Sequence, residues 1–173
     1  LRRLVGTAKN PKVRLQALCI LEGLKGLDGK VLKQALADSH PGVREHAVRV
    51  CENEHADLIA SRIKDESIRV RRQVGFSLGE WKDRRAAEAL VELAVTDSEE
   101  PRVQLAVKSS ALPHAAAMLK QIFQEEAKAP TNLISDLIRF AILDDNLDSL
   151  AKVFNEIAVD KNLQRQFTLM AGF

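Results

Sequence analysis

The feature that most constrains the fold is a short mark that recurs about every thirty residues. Each copy is a polar turn followed by a valine and then an arginine or glutamine: Asn10-Pro11-Lys12-Val13-Arg14, His40-Pro41-Gly42-Val43-Arg44, Ser67-Ile68-Arg69-Val70-Arg71 and Glu100-Pro101-Arg102-Val103-Gln104. The four valines are spaced by 30, 27 and 33 residues. A unit of this length cannot bury its apolar face alone, so the sequence predicts a stack of similar units.

Within each unit the apolar residues follow a helical period. Val43, Ala47 and Val50 illustrate the first helix, and Leu32 and Leu36 illustrate the second, which follows a turn rich in Gly, Asp or Asn. The prolines of the mark suit the first helical position, and the residues available as caps are Asn10, Ser39, Ser67 and Ser98. No strand-like alternation is present. We therefore predict an all-α fold, a right-handed α-solenoid of about five stacked antiparallel helix pairs.

Length and ends bear on domain organisation. A chain of 173 residues is the size of one domain, so we predict a single repeat domain over 1–173. The marked repeats occupy about 10–127, and atypical helices follow over about 131–170. The chain starts with Leu rather than Met and its last residues are apolar, from which we expect a fragment of a larger protein.

Composition narrows the function classes. The chain has 26 basic and 24 acidic side chains, 4% aromatic residues and no tyrosine. This nearly balanced charge argues against electrostatic attraction of nucleic acid, and the scarcity of aromatic rings argues against base stacking. No apolar run is long enough to span a bilayer, so we expect no membrane insertion. Two cysteines do not make a disulfide framework, and they leave the compartment open.

The repeated marks resemble HEAT repeats of the short, phycobilisome-lyase-like type over roughly residues 10–127. A closer resemblance is carried by the segments VRRQVGFSLGE at 70–80, RAAEAL at 85–90 and AVKSS at 106–110. Together they look like the HEAT segment of large planctomycete and verrucomicrobial membrane-bound dehydrogenases. That resemblance implies a bacterial, exported or periplasmic parent with a sugar-dehydrogenase-like β-propeller and a c-type cytochrome module.

The chain departs from that parent where the chemistry would be. A c-type haem needs Cys-x-x-Cys-His, but Cys19 and Cys51 are 32 residues apart and neither is followed by histidine. We therefore expect no haem and no other cofactor here, and no enzymatic activity in this segment. The prediction is a non-catalytic scaffold for contacts with another protein or with flanking domains of the same chain.

Two sets of charged residues recur at equivalent positions, the arginines Arg14, Arg44 and Arg71 and the aspartates Asp38, Asp65 and Asp97. In HEAT repeats of this kind such residues form a structural ladder between neighbouring repeats. The alternative is a row of arginines that binds an anion. Gln104 replaces the arginine in the fourth copy, so the ladder is expected to end there.

A possible interaction surface comprises Trp81 and the basic residues Arg69, Arg72 and Arg85. Trp81 could anchor a turn by packing or could be an exposed hot spot. The basic run that includes Arg71 could instead bind nucleic acid, which is the alternative function, although nucleic-acid sites usually have a larger footprint of one charge.

The remaining reactive residues point to ordinary structural roles. The pairs Glu45-His46 and Glu54-His55 reverse the His-Glu order of HEAT-like iron hydroxylases, so we predict no metal site. Cys19 and Cys51 lie in apolar stripes and are expected to be buried thiols. The sequence therefore offers no catalytic residues.

Overall fold

A computed structural model describes residues 1–51, 55–81, 84–125 and 127–143, together with positions 151 and 155. Every regular element in these residues is helical, which confirms the all-α prediction. The α-helices are α1 (Arg2–Thr7), α2 (Pro11–Gly23), α3 (Gly29–Leu36), α4 (Pro41–Arg49), α5 (Ala56–Ala60), α6 (Ile68–Leu78), α7 (Arg84–Thr96), α8 (Pro101–Ser110), α9 (Ala115–Gln124) and α10 (Thr131–Leu143). A 3-10 turn, Leu112–His114, leads into α9.

The described residues form two compact units, Leu1–Ser77 and Leu78–Phe173. In the first unit, α2 packs against α4 and α1 packs against α3. In the second unit, α7 packs against α9, which also contacts α10. First helices thus pack against first helices, as α2 does against α4, and second helices pack against second helices, as α1 does against α3 and α7 against α9. Helix pairs stack in this way in an α-solenoid.

Helix starts follow the prolines closely. Helices α2, α4 and α8 each begin at a proline, as predicted. The Asn10 side chain caps α2, but α4 is capped by the ring of His40 and α8 by the carboxylate of Glu100. The predictions of Ser39 and Ser98 as caps were wrong, because a proline at the first helical position leaves the residue directly before it as the N-cap.

Two further differences concern the ends of the chain. Helix α1 was not predicted, and it supplies the second helix of a repeat that precedes α2. Helix α10 agrees with the predicted atypical C-terminal helices, whereas the second apolar stripe predicted over 147–157 lies outside the described residues. In the parts of the chain that are described, no helix is both long and apolar enough to cross a membrane.

Gly79 follows α6 for a reason that the sequence did not show. No described glycine has a positive φ, so Gly79 is not a left-handed residue that ends the helix. A Cβ atom on Gly79 would lie 2.7 Å from the Cβ and 3.0 Å from the Cα of Ser110, at the end of α8. The close approach of the chain to Ser110 therefore requires glycine at this position.

His114 is a buried histidine in the second unit. Its Nε2 lies 3.2 Å from the carbonyl oxygen of Leu78, so Nε2 carries the proton and donates it to the end of α6. Burial lowers the pKa of His114 below its ordinary value, and the hydrogen bond to Leu78 only partly opposes that effect. The ring is therefore neutral in the folded protein at neutral pH.

We expect the free energy of unfolding to fall as the pH is lowered from 7 to 5. The unfolded histidine takes up a proton near its ordinary pKa of about 6.5, whereas folded His114 resists protonation, so the unfolded state binds more protons. His114→Gln keeps an N–H donor and should flatten this dependence in urea titrations at several pH values. Leu105→Gln, a change at an exposed residue that does not titrate, should leave the slope as it is. An unchanged slope in His114→Gln would assign the pH dependence to other groups.

Candidate functional site

Two arginines of the repeated mark bind aspartates of the following repeat. Arg14 donates to Asp38 through Nε at 2.6 Å and Nη2 at 2.7 Å. Arg44 donates to Asp65 in the same two-pronged way, with both distances 2.9 Å. The Asp65 side chain is 2% exposed and that of Arg44 is 6% exposed. Each pair thus joins consecutive repeats by a planar, bidentate contact that is largely shielded from water.

The third nitrogen of each guanidinium has a role that the sequence did not reveal. Nη1 of Arg14, Arg44 and Arg71 donates to the carbonyl oxygen six residues earlier, at 2.7–2.8 Å. Asp38 and Asp65 in turn accept the backbone N–H two residues later. One arginine therefore holds the turn before its own helix and, in the first two repeats, also holds the turn of the next repeat.

The ladder changes at its far end. Asp97 is buried and Arg71 donates to the carbonyl of Asp65, while a pairing between Arg71 and Asp97 stays a prediction. Gln104 donates through Nε2 to the carbonyl oxygens of Ala94 and Asp97, at 2.8 and 2.9 Å. Glutamine thus keeps the contact to the preceding turn, although its buried Oε1 has no hydrogen-bond partner.

The two paired aspartates are ionised at neutral pH. Burial raises the pKa of Asp38 and of Asp65, but the hydrogen bonds from their arginines and from backbone N–H groups lower it more. The pKa of each therefore lies below the ordinary value for aspartate. These carboxylates stabilise the fold above the ordinary aspartate pKa, and that contribution is lost as the pH falls through the lowered value.

The geometry of Arg44 argues against the anion-binding alternative. All five of its N–H groups have acceptors, which are the carboxylates of Asp65 and Glu66 and the carbonyls of Asp38 and Ser39. An open cleft of about 450 Å³ lies beside it, where the cations of Arg44, Arg62 and Lys64 face three carboxylates, those of Asp38, Asp65 and Glu66. The cleft is balanced in charge, and Arg44 has no N–H left for an external anion.

The residues of the predicted interaction surface are divided between the two units. Arg69 and Arg72 both contact the carboxylate of Glu45, at 2.6 and 3.3 Å, which offsets one of their two charges. Arg85 is exposed and belongs to the second unit. Trp81 is buried, so the alternative that it is an exposed hot spot was wrong. Its indole is therefore unavailable to a partner.

One thiol is also not where the sequence placed it. Cys51 is buried as predicted, and burial raises its pKa to about 12. Cys19 is exposed, and its Sγ lies 3.2 Å from Nε2 of His46 on α4, the first helix of the next repeat. The prediction of a buried Cys19 was wrong because its position lies on the outer side of α2. The spacing of 27 residues, close to one repeat, is the signal that could have suggested this contact.

The histidines do not assemble a metal site in the described part of the chain, where no three His, Cys, Asp or Glu side chains are placed to hold an ion. His40 caps α4 and His114 caps α6. Glu54, which the sequence analysis considered, lies outside the described residues.

Helix α2 presents an apolar face that its counterparts bury. Val13, Ile20 and Leu24 are 42%, 45% and 68% exposed, and their spacing places them on one side of the helix; we call these three residues the α2 face. The equivalents of Val13, which are Val43, Val70 and Val103, are all buried. Of the equivalents of Ile20, Ser77 and Ser110 are buried and Val50 is half-buried. The α2 face therefore corresponds to a surface that is covered in later repeats.

Comparison with known families agrees with this architecture. Residues 29–111, from the start of α3 to the residue after α8, match the family model for HEAT repeats. This part of the chain is similar to HEAT repeats. Repeats of this kind generally act as non-catalytic scaffolds for protein contacts. No curated protein and no solved structure matches the chain.

Proposed function

We propose that this HEAT-like chain is a non-catalytic scaffold that binds another protein, or a flanking domain of its own chain, through the α2 face. The observation that carries the proposal is the contrast between Val13, which is 42% exposed, and Val43, which is 1% exposed at the same repeat position. Val43 is buried on α4, against which α2 packs. The α2 face corresponds to the face of α4 that contains Val43. It is therefore suited to a partner that packs on it as α2 packs on α4.

The chemistry of the face indicates the kind of partner. In the following repeat the equivalent surface is covered by a first helix, so a helix with an apolar stripe at three- to four-residue spacing fits the α2 face. Ala8 occupies the position that Asp38 and Asp65 hold in the next repeats. An arginine on a partner helix would therefore have no carboxylate to bind at Ala8. Apolar contacts would supply most of the binding energy.

We further propose that the scaffold belongs to a multidomain protein of the membrane-bound dehydrogenase and c-type cytochrome kind. The support is the resemblance of residues 70–80, 85–90 and 106–110 to the HEAT segment of such proteins. Export across the membrane would follow from that parentage. The encoded sequence on either side provides the test, because this parent requires a β-propeller and a Cys-x-x-Cys-His motif there.

Nucleic-acid binding is not the function that the geometry favours. Two of the residues that would contact phosphates, Arg69 and Arg72, share the carboxylate of Glu45, and Arg71 holds the carbonyl of Asp65. Arginines that are already paired release little counterion energy on binding a nucleic acid.

The scaffold proposal predicts site-specific cross-linking at Ile20. With the photoreactive residue p-benzoylphenylalanine at position 20, irradiation of cells that natively make the protein should give a covalent adduct at this position. The matched control is Leu105 on α8, which is the first helix of its repeat. Leu105 is 65% exposed and does not lie on the side of α8 that corresponds to the α2 face. Peptide mass spectrometry then identifies whether the adduct joins another protein or a distant segment of the same chain.

A second variant separates binding from folding. Ile20→Asp should abolish the adduct formed from a photoreactive residue at position 24, and it should change stability by less than about 0.5 kcal/mol because Ile20 is already exposed. Equal adducts at positions 20 and 105, or none at either, would contradict a partner on the α2 face.

A further inference from the structure

A cluster of four reactive side chains lies across α2 and α4, apart from the arginine ladder. It consists of Cys19, Glu22, His46 and Arg49, and we call it the Cys19 cluster. His46 Nε2 lies 3.2 Å from Cys19 Sγ and 3.4 Å from a carboxylate oxygen of Glu22. Arg49 contacts the same Glu22 oxygen at 3.0 Å. A thiol, an imidazole and two charges thus meet where consecutive repeats pack together.

The surroundings of His46 determine which ring nitrogen holds the proton. Arg49 lies 3.4 Å from both ring nitrogens of His46, but the Glu22 carboxylate, which can only accept, lies 3.4 Å from Nε2, so the proton of a neutral ring lies on Nε2. Burial lowers the pKa of His46, and the charge of Arg49 lowers it further. At neutral pH the ring is therefore an uncharged donor whose N–H lies beside the sulfur.

We propose that Cys19 is a modification site for small, soft electrophiles, with His46 as the group that hydrogen-bonds the reacting sulfur. Thiols react as thiolates, and an exposed thiolate beside a hydrogen-bond donor is in an environment that stabilises the charge on sulfur. Cys19 is exposed, so a small reagent reaches it. Cys51 lacks these features, because it is buried and its pKa is about 12.

The step is a simple displacement when the probe is iodoacetamide. The thiol proton passes to solvent, and the sulfur electron pair forms a bond to the methylene carbon of the probe. The carbon–iodine bond breaks at the same time and iodide leaves with its electron pair. No group is oxidised or reduced, and Nε2–H of His46 donates to the sulfur while the sulfur carries negative charge.

Glu22 has the opposite effect from His46. Its carboxylate competes with sulfur for the proton on Nε2 and places negative charge close to the reacting atom. Arg49 offsets that charge in part through its contact with Glu22. Removal of His46 and removal of the Glu22 charge should therefore change the reaction rate of Cys19 in opposite directions, which simple exposure of a thiol does not predict.

The experiment measures the rate of carbamidomethylation of the folded protein at pH 7. Peptide mass spectrometry follows Cys19 and Cys51 in the same sample, with Cys51 as the internal control. We expect Cys19 to react while Cys51 stays unmodified. His46→Asn should slow Cys19 about tenfold, since a hydrogen bond to a charged group is lost. Glu22→Gln should accelerate Cys19, and His40→Asn, a histidine change at the cap of the same helix α4, should leave the rate as it is.

The proposal stands only if the two variants shift the rate in opposite directions. Equal rates for the parent and His46→Asn would show that Cys19 is merely an exposed thiol. A slower Glu22→Gln variant would show that the carboxylate supports the reaction and would overturn the assigned roles. Comparable modification of Cys51 would show that the fold gives Cys19 no selectivity. Because Glu22 is partly exposed, its variant keeps the test open even if His46→Asn folds poorly.

Discussion

Arg44→Ala is expected to lower the free energy of unfolding by about 3–5 kcal/mol, because it leaves the buried carboxylate of Asp65 without its partner. The side chain of Asp65 is 2% exposed, and it would lose the two hydrogen bonds that Arg44 donates, keeping the N–H of Ser67 and the more distant Arg62 at 3.7 Å. The carbonyl of Asp38 loses its donor in the same variant. Urea denaturation at pH 7 measures the loss, and hydrogen exchange should show it mainly around residues 28–80, because stacked repeats couple to their nearest neighbours.

The matched control is Arg69→Ala. Arg69 approaches Glu45 to 2.6 Å, closer than Arg44 approaches Asp65, but its side chain is 64% exposed. Exposed ion pairs contribute about 0–1 kcal/mol, so a small effect at Arg69 would show that burial rather than distance decides the outcome. Asp65→Asn in the Arg44→Ala background should recover part of the loss by removing the unpaired charge. An Arg44→Ala variant that unfolds like the parent, yet loses affinity for an anionic ligand, would make the arginines a binding surface.

Gly79→Ala is expected to cost about 1–3 kcal/mol through overpacking. The added methyl group would lie 2.6 Å from Oγ, 2.7 Å from Cβ and 3.0 Å from Cα of Ser110. Two of these atoms move only if the end of α8 moves, so a change of side-chain rotamer cannot relieve the contact. The variant should show a lower midpoint in urea, and Ser110→Gly in the same chain should recover part of the loss.

Gly23→Ala is the control for this change and should have the opposite sign. Gly23 ends α2, and an added Cβ would meet nothing within 4 Å. Alanine has the higher helix propensity, so this variant should gain up to about 1 kcal/mol. Loss of stability in both variants would mean that the Gly79 effect is not specific to its approach to Ser110.

Several features of the fold could be predicted because they depend on local sequence. Apolar spacing identified the helices, and the prolines at 11, 41 and 101 located three helix starts to the residue. The equivalent positions of the arginines and aspartates pointed to contacts between repeats, although the choice of Asp65 rather than Asp38 as the carboxylate partner of Arg44 depended on the packing. The pattern also did not show the third contact of each arginine, since a backbone carbonyl leaves no trace in the sequence.

By itself, therefore, the sequence determined the repeat, the helical class and the positions available for contacts between repeats, because these follow from periodicity along the chain. Only the tertiary structure decided which of those positions are covered. Val13 and Val43 are the same residue in the same mark, yet Val13 is exposed on α2, whereas Val43 is buried on α4, against which α2 packs. The meeting of Cys19 with His46 has the same origin, since the distance between side chains on different helices is set by packing rather than by spacing along the chain.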